Sequence, residues 1–129
     1  MIYVLDASAL MAVILDERGA DVVRQADRGS EISIVNVAEV MSTVAERGDR
    51  PEKVELAIAE MGLRIRAFRD AHALEVARLR PLTKHLGLGF GDRACLAQGR
   101  MSEHPILTGD HDWAKLDLGL DIRLIRERR

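Results

Sequence analysis

A single cysteine, Cys95, occurs in the 129 residues. That excludes an internal disulfide framework and a cysteine-built zinc site, and it fits a reducing compartment. Cys95 itself reads as a small buried hydrophobe. Aromatic residues are scarce at 3%, namely Tyr3, Phe68, Phe90 and Trp113, so stacking on nucleic-acid bases is sparsely provided. Positive charge is not in excess: 19 Lys and Arg stand against 21 Asp and Glu, for a net charge of −2. Nucleic-acid binding through a simple basic face is therefore unsupported, and any such binding needs local features. No apolar run approaches the roughly 18 residues of a membrane helix. The apolar start MIYVLDASALMAVIL has no basic leader and carries Asp6 in its middle, which argues against a secretory signal. A cytoplasmic protein with no membrane association is expected.

What is present is the balance of a globular domain, 47% hydrophobic and 31% charged, in a length that suits one domain over residues 1–129. No repeat, low-complexity tract or linker interrupts it. IYVL (2–5) predicts a short buried strand, and Ala7, Leu10, Met11 and Ile14 then recur at helical spacing. ISIV (32–35) predicts a second strand, followed by a helix with Val37, Val40, Met41 and Val44 on one face and Gly48 at its end. Asp49 and Pro51 predict the next helix start. LRIRAF (63–68), PILT (105–108) and IRLI (122–125) predict further strands, with a long helix from 70 to about 86, bent near Pro81, and a short one at 113–116. Strands separated by helices imply parallel pairing, hence an α/β fold: a three-layer α/β/α sandwich on a parallel sheet of four to five strands.

In a parallel sheet every strand-to-helix turn lies at the carboxyl edge, where ligands bind in such folds. Asp6 ends the first predicted strand, Glu39 lies in the first turn after the second, and Asp110 follows PILT. Each also has a simpler role, because acids cap helix starts and complement the dipole; Asn36 with Glu39 three residues on resembles a capping box. Asp92, in GDRACLAQG (91–99), follows no predicted strand, and capping accounts for it. Carboxylates held close together repel unless a cation sits among them. Oxygen ligands without partnering histidine or cysteine favour Mg2+, or Mn2+, over zinc. Such ions activate water and stabilise charge in phosphoryl displacement.

The motifs MIYVLDASAL, NVAEV, GFGDRACLA and LTGDHDW, in this order across nearly the whole chain, resemble the four acidic motifs of PIN-domain nucleases, and most closely the VapC-type toxins of toxin–antitoxin pairs. The resemblance implies a metal-dependent endoribonuclease that cuts single-stranded regions of structured RNA once its antitoxin is lost. It implies Asp6 and Asp92 as the main Mg2+ ligands, with Glu39 and Asp110 completing a catalytic acidic pocket and Asp112 a lesser candidate. Ser8 and Thr108 would support the carboxylates or a metal-bound water, or serve as ordinary turn hydroxyls. None of His72, His85, His104 and His111 is placed as a general base, and metal-activated water would displace the 3′-bridging oxygen to leave a 5′-phosphate and a 3′-hydroxyl. Arg93, then Lys84 and Arg100, are candidates to guide the RNA backbone. The Arg64/Arg66 pair and the terminal RERR (126–129) read as solvated surface.

A cognate antitoxin would lie in the active-site groove, with a basic residue among the carboxylates, and apolar surface on the early helices would suit a homodimer. Two other classes compete. A PIN-like module without turnover would only contact RNA or protein, yet all four acids are present. A phosphohydrolase of the haloacid-dehalogenase form would want Asp-x-Asp after the first strand, where this chain has Asp6, Ala7 and Ser8.

Overall fold

The structure, a computed structural model, describes residues 1–128. Five strands, β1 (Val4–Leu5), β2 (Glu31–Ser33), β3 (Arg64–Arg66), β4 (Ile106–Thr108) and β5 (Ile122–Leu124), form one sheet in the order β3-β2-β1-β4-β5. Every pairing is parallel, and β1 sits at the centre with Leu5 opposite Ile32 on one side and Leu107 on the other. The α/β/α sandwich expected from the sequence is the fold observed, with shorter strands. ISIV illustrates why: Ser33 ends β2 by accepting the Val35 N–H at 3.2 Å, so Ile34 and Val35 already belong to the following helix.

Six helices cover the sheet: α1 (Ala7–Ile14), α2 (Ala20–Arg24), α3 (Ile34–Glu46), α4 (Glu52–Met61), α5 (Asp70–Thr83) and α6 (Phe90–Ser102). The two-residue alternation of the strands divides the core. Leu5, Ile32 and Leu107 pack with Leu10, Val37, Val40, Val44, Val54 and Ile58 on the face of α1, α3 and α4. Val4 and Ile106 turn the other way, onto Val76, Leu79, Leu96 and the fully buried Trp113 of the α5/α6 face. Each such large side chain taken out of water stabilises the fold by about 1.5–3 kcal/mol.

Two expected helix starts move. The cap of α3 is Ser33 rather than Asn36, which lies inside the helix. Pro51 precedes α4, while Asp49 accepts the Arg50 N–H at 2.8 Å and the Lys53 ammonium at 2.7 Å outside it. Pro81 lies in the last turn of α5, where a single tighter turn, Lys84–Leu86, continues towards α6.

The chain runs outward from β1 through β2 to β3, then returns to place β4 on the other side of β1. The carboxyl ends of β1 and β4 therefore flank the point where strand order reverses. Connections leave this point in opposite directions, which opens a crevice there.

Candidate active site

Asp6 lies at that point of reversal. It follows β1 directly, caps α1 by accepting the Ala9 N–H at 2.8 Å on Oδ1, and is 4% exposed. Two hydroxyls complete its shell: Ser8 donates to Oδ1 at 2.7 Å and Thr108, at the end of β4, donates to Oδ2 at 2.5 Å. Both are oriented from behind. Gly109 N–H points at Ser8 Oγ at 2.8 Å and Asp110 N–H at Thr108 Oγ1 at 3.0 Å. A hydroxyl has one hydrogen, and one that accepts a backbone N–H is set to give that hydrogen elsewhere. The turn after β4 thus fixes the carboxylate at the end of β1.

Asp92 enters from the α5/α6 side. It lies in the first turn of α6 and accepts the Gly89 N–H on Oδ2 at 3.1 Å, so it caps the helix as expected. Glu39, on α3, is exposed, and Asn36 holds it: the Asn36 amide donates to Glu39 Oε1 at 2.8 Å and to the Gly91 carbonyl at 2.9 Å. α3 is thereby tied to the start of α6, next to Asp92. Gly91 leaves the Glu39 carboxylate its place; a Cβ there would collide with that carboxylate as it is held. Asp110, exposed at the rim, accepts the Asp112 N–H at 3.0 Å on Oδ1, whereas Asp112 is engaged by Lys115 at 3.1 Å.

The electrostatics show the acids acting on one another. Burial pushes the Asp6 carboxyl up to about 6 against the downward pull of its three donors, and Asp92 adds to the rise. Asp92 is raised as well, by burial first and then by Asp110, while the Gly89 N–H and Arg93 hold it down. Cys95, one turn further along α6, is fully buried, and its thiol is raised well above the usual range by burial and then by Asp6, Asp92 and Glu39. It stays a neutral hydrophobe.

Among the described residues no three carboxylate, imidazole or thiol side chains close into a ready-made metal cage. The donor set still suits a hard divalent ion. One oxygen each of Glu39, Asp92 and Asp110 has no hydrogen-bond partner among the described residues, and Asp6 Oδ2 accepts only Thr108. Mg2+ keeps several waters and is commonly held by one or two carboxylates, so an open set of acids is the arrangement it needs.

The cations expected near RNA separate. Lys84 stands exposed in the turn leading into α6. Arg93 lies beside Asp92 but turns to α5, donating to the Val76 carbonyl at 3.1 Å, because the partly buried guanidinium needs a partner there. Arg100 is eight residues beyond Asp92 on α6, paired with Glu75 at 2.7 Å and the Leu118 carbonyl at 3.2 Å, and it lines a hollow with Pro105 at the opposite edge of the sheet. Arg100 is thus remote from the carboxylates, whereas Arg93 stays near enough to Asp92 to favour its charge. His72 is buried against Gln98 at 2.9 Å, His104 shares the hollow of Arg100, and His111 lies beside Asp110.

Two features escaped the sequence. Arg66 is no solvated cation: it pairs with the buried Glu31 at 2.5 Å, and Gln98 donates to the other Glu31 oxygen at 3.3 Å. The terminal arginines, apart from Arg129, which lies outside the described residues, return to the site: Arg126 lies against Gly109, and Arg126 and Arg128 line a hollow with Arg18 and Asp110. Only the return of β5 beside β4 brings them there, and no spacing in the sequence signals it.

A family model described as PIN domain matches residues 3–118. No curated protein sequence gives a significant match. Among solved structures, the fold is similar to a toxin–antitoxin complex from Klebsiella pneumoniae, at 18% identity and a TM-score of 0.79 over 98% of this chain and 99% of that one. It is also similar to VapBC2 from Rickettsia felis bound to a promoter DNA fragment, at 16% identity and a TM-score of 0.72 over 96% and 98% of the two chains. A Mycobacterium tuberculosis VapC20 toxin that cleaves the sarcin–ricin loop matches at 12% identity and a TM-score of 0.68 over 89% and 96%.

Proposed function

The chain belongs to the PIN-domain family, and from that premise we propose that it is a Mg2+-dependent endoribonuclease and the toxin of a toxin–antitoxin pair. What supports the proposal is that Asp92 acts on Asp6 and Asp110 on Asp92 while Asn36 holds Glu39 beside Gly91, each acid with an oxygen still able to accept. Likeness to VapC-type toxin structures supports the same direction.

Asp6 and Asp92 would hold the ion, and Glu39 and Asp110 would complete the shell directly or through waters. A divalent ion bound there supplies a Lewis acid for a phosphoryl oxygen and a lowered pKa for water; Mn2+ is expected to substitute for Mg2+. The protein's share is preorganisation. Ser8, Thr108 and the Ala9 N–H fix the buried Asp6 carboxylate, and Asn36 fixes Glu39, so little reorganisation is needed as charge develops on the phosphate. Hydrolysis would leave a 5′-phosphate and a 3′-hydroxyl.

An antitoxin would silence the site by covering these acids and placing a cation among them. Exposed Leu15, Val22, Ile34 and Leu56 on and around the first four helices offer apolar surface for a homodimer. No helix among the described residues is long and apolar enough to cross a membrane.

The test is incubation of the isolated chain with structured RNA and Mg2+ or Mn2+. Cleavage that EDTA abolishes, with 5′-phosphate ends, is expected. Cleavage indifferent to EDTA, or ends bearing a 2′,3′-cyclic phosphate, would sink the proposal. RNA or protein binding without any cleavage would make the chain a binding module.

A further inference from the structure

We propose that Arg18 and Arg126 form a phosphate-binding subsite that holds the RNA backbone on the β5 side of the carboxylates; this rests on the nuclease reading above. Three observations converge. First, the two arginines are fixed by crossing backbone contacts between the same two segments: Arg126 Nη1 donates to the Arg18 carbonyl at 3.0 Å, and Arg18 Nη2 donates to the Glu127 carbonyl. Gly19 closes the same contact from beneath, at φ 97 and so tight against Ile125 that a Cβ would lie 2.7 Å from the Ile125 carbonyl oxygen. The segment after β5 is therefore strapped to the turn between α1 and α2.

Second, the strap delivers charge to the acidic crevice. Arg126 Nη2 lies 2.7 Å from where a Cβ of Gly109 would be, and the Ser8 hydroxyl that orients Asp6 is 3.3 Å from the same point. Arg18, Arg126 and Arg128 line one open hollow together with Asp110.

Third, this charge is not spent on the protein. Among the described residues neither Arg18 nor Arg126 forms an ion pair, although Asp110, Asp112 and Glu127 line the same hollow. Each guanidinium gives one hydrogen bond to a carbonyl, out of five N–H donors. Planar forks with spare donors match phosphate oxygens. Arg100, by contrast, is committed to Glu75 and the Leu118 carbonyl, and Arg93, though it too lacks an ion pair, turns its one hydrogen bond to the Val76 carbonyl of α5. On a protein of net charge −2, a polyanion needs such a local foothold to approach four carboxylates.

The experiment measures binding of a labelled single-stranded RNA of mixed sequence in EDTA, by fluorescence anisotropy across a salt series. Compared are the unaltered chain, the double variant Arg18→Gln/Arg126→Gln, and Arg18→Lys/Arg126→Lys. Loss of two phosphate contacts is expected to reduce the slope of log K against log salt by about 1.4 and to weaken binding about tenfold or more at low salt. The lysine pair should keep the slope while binding less tightly, since it retains charge without the fork. Equal slope and affinity in the glutamine pair would overturn the subsite, as would absence of salt-dependent binding by the unaltered chain, and the arginines would then belong to a protein contact. Cleavage with Mg2+ is scored separately. A chain that cleaves while the glutamine pair keeps the slope loses the subsite alone; one that binds through the arginines but never cleaves loses the nuclease reading alone.

Discussion

Thr108 gives its only hydroxyl hydrogen to Asp6 Oδ2 at 2.5 Å because its lone pair already receives the Asp110 N–H at 3.0 Å. The ends of β1 and β4 are thus joined by a hydrogen bond whose direction the backbone sets. Thr108→Val keeps the shape and removes the donor, leaving one oxygen of a buried carboxylate unsatisfied. We expect a loss of about 1–3 kcal/mol in urea unfolding at pH 8. The loss should shrink below pH 5, where Asp6 is protonated and less in need of donors, and Thr108→Ser should behave like the unaltered chain. A pH-independent loss would confine Thr108 to packing and to accepting the Asp110 N–H.

Asp92→Asn separates capping from chemistry. The amide oxygen can still accept the Gly89 N–H, and the charge that burial and Asp110 disfavour is gone. Thermal stability of the metal-free chain should therefore be unchanged or rise by a few degrees. Cleavage should fall by at least about a hundredfold, as expected when a charged group serving the transition state is removed. Retained cleavage would reduce Asp92 to a helix cap.

Gly91→Ala tests how Glu39 is positioned. Alanine is favoured over glycine in a helix by about 1 kcal/mol, and the nearest conflict is with the end of the Glu39 side chain. The carboxylate can swing away, so the fold should hold, with a melting temperature within a few degrees. Release from Asn36 should nonetheless lower the turnover rate about tenfold or more while RNA affinity in EDTA stays constant. An equal fall in both would point to a disturbed α6.

The layers of this fold were legible because hydrophobic spacing repeats faithfully: the Ala7, Leu10, Met11 and Ile14 face and the Val37, Val40, Met41 and Val44 face both pack into the core. Asp6 and Asp110 could be placed from topology, since a strand precedes each. Asp92 could not, because its helix comes off a turn rather than a strand, and only the family resemblance singled it out. Side-chain direction was the least legible. Arg93 is adjacent to Asp92 in sequence, yet the Val76 carbonyl claims it. Glu31 and Gln98 are 67 residues apart and meet through sheet and helix packing that no local pattern encodes.

Asp6 gives the metal-free protein a pH dependence with a definite sign. Its carboxyl stands at about 6 in the fold against an ordinary 3.8, so between these pH values the folded chain keeps a proton that the unfolded chain has released. Stability from this group therefore falls as pH rises through the window and is flat above it, by about 3 kcal/mol in all. Asp92, also raised, contributes in the same direction. Asp6→Asn carries no such slope, so the unfolding free energy of the unaltered chain minus that of the variant should decline from pH 4 to pH 6.5 in EDTA. Divalent ions favour the ionised acids and should reverse the decline, so Mg2+ or Mn2+ should raise the melting temperature more at pH 7.5 than at pH 5, and much less in Asp6→Asn. Equal increments at both pH values, or an undiminished increment in the variant, would place the ion away from Asp6.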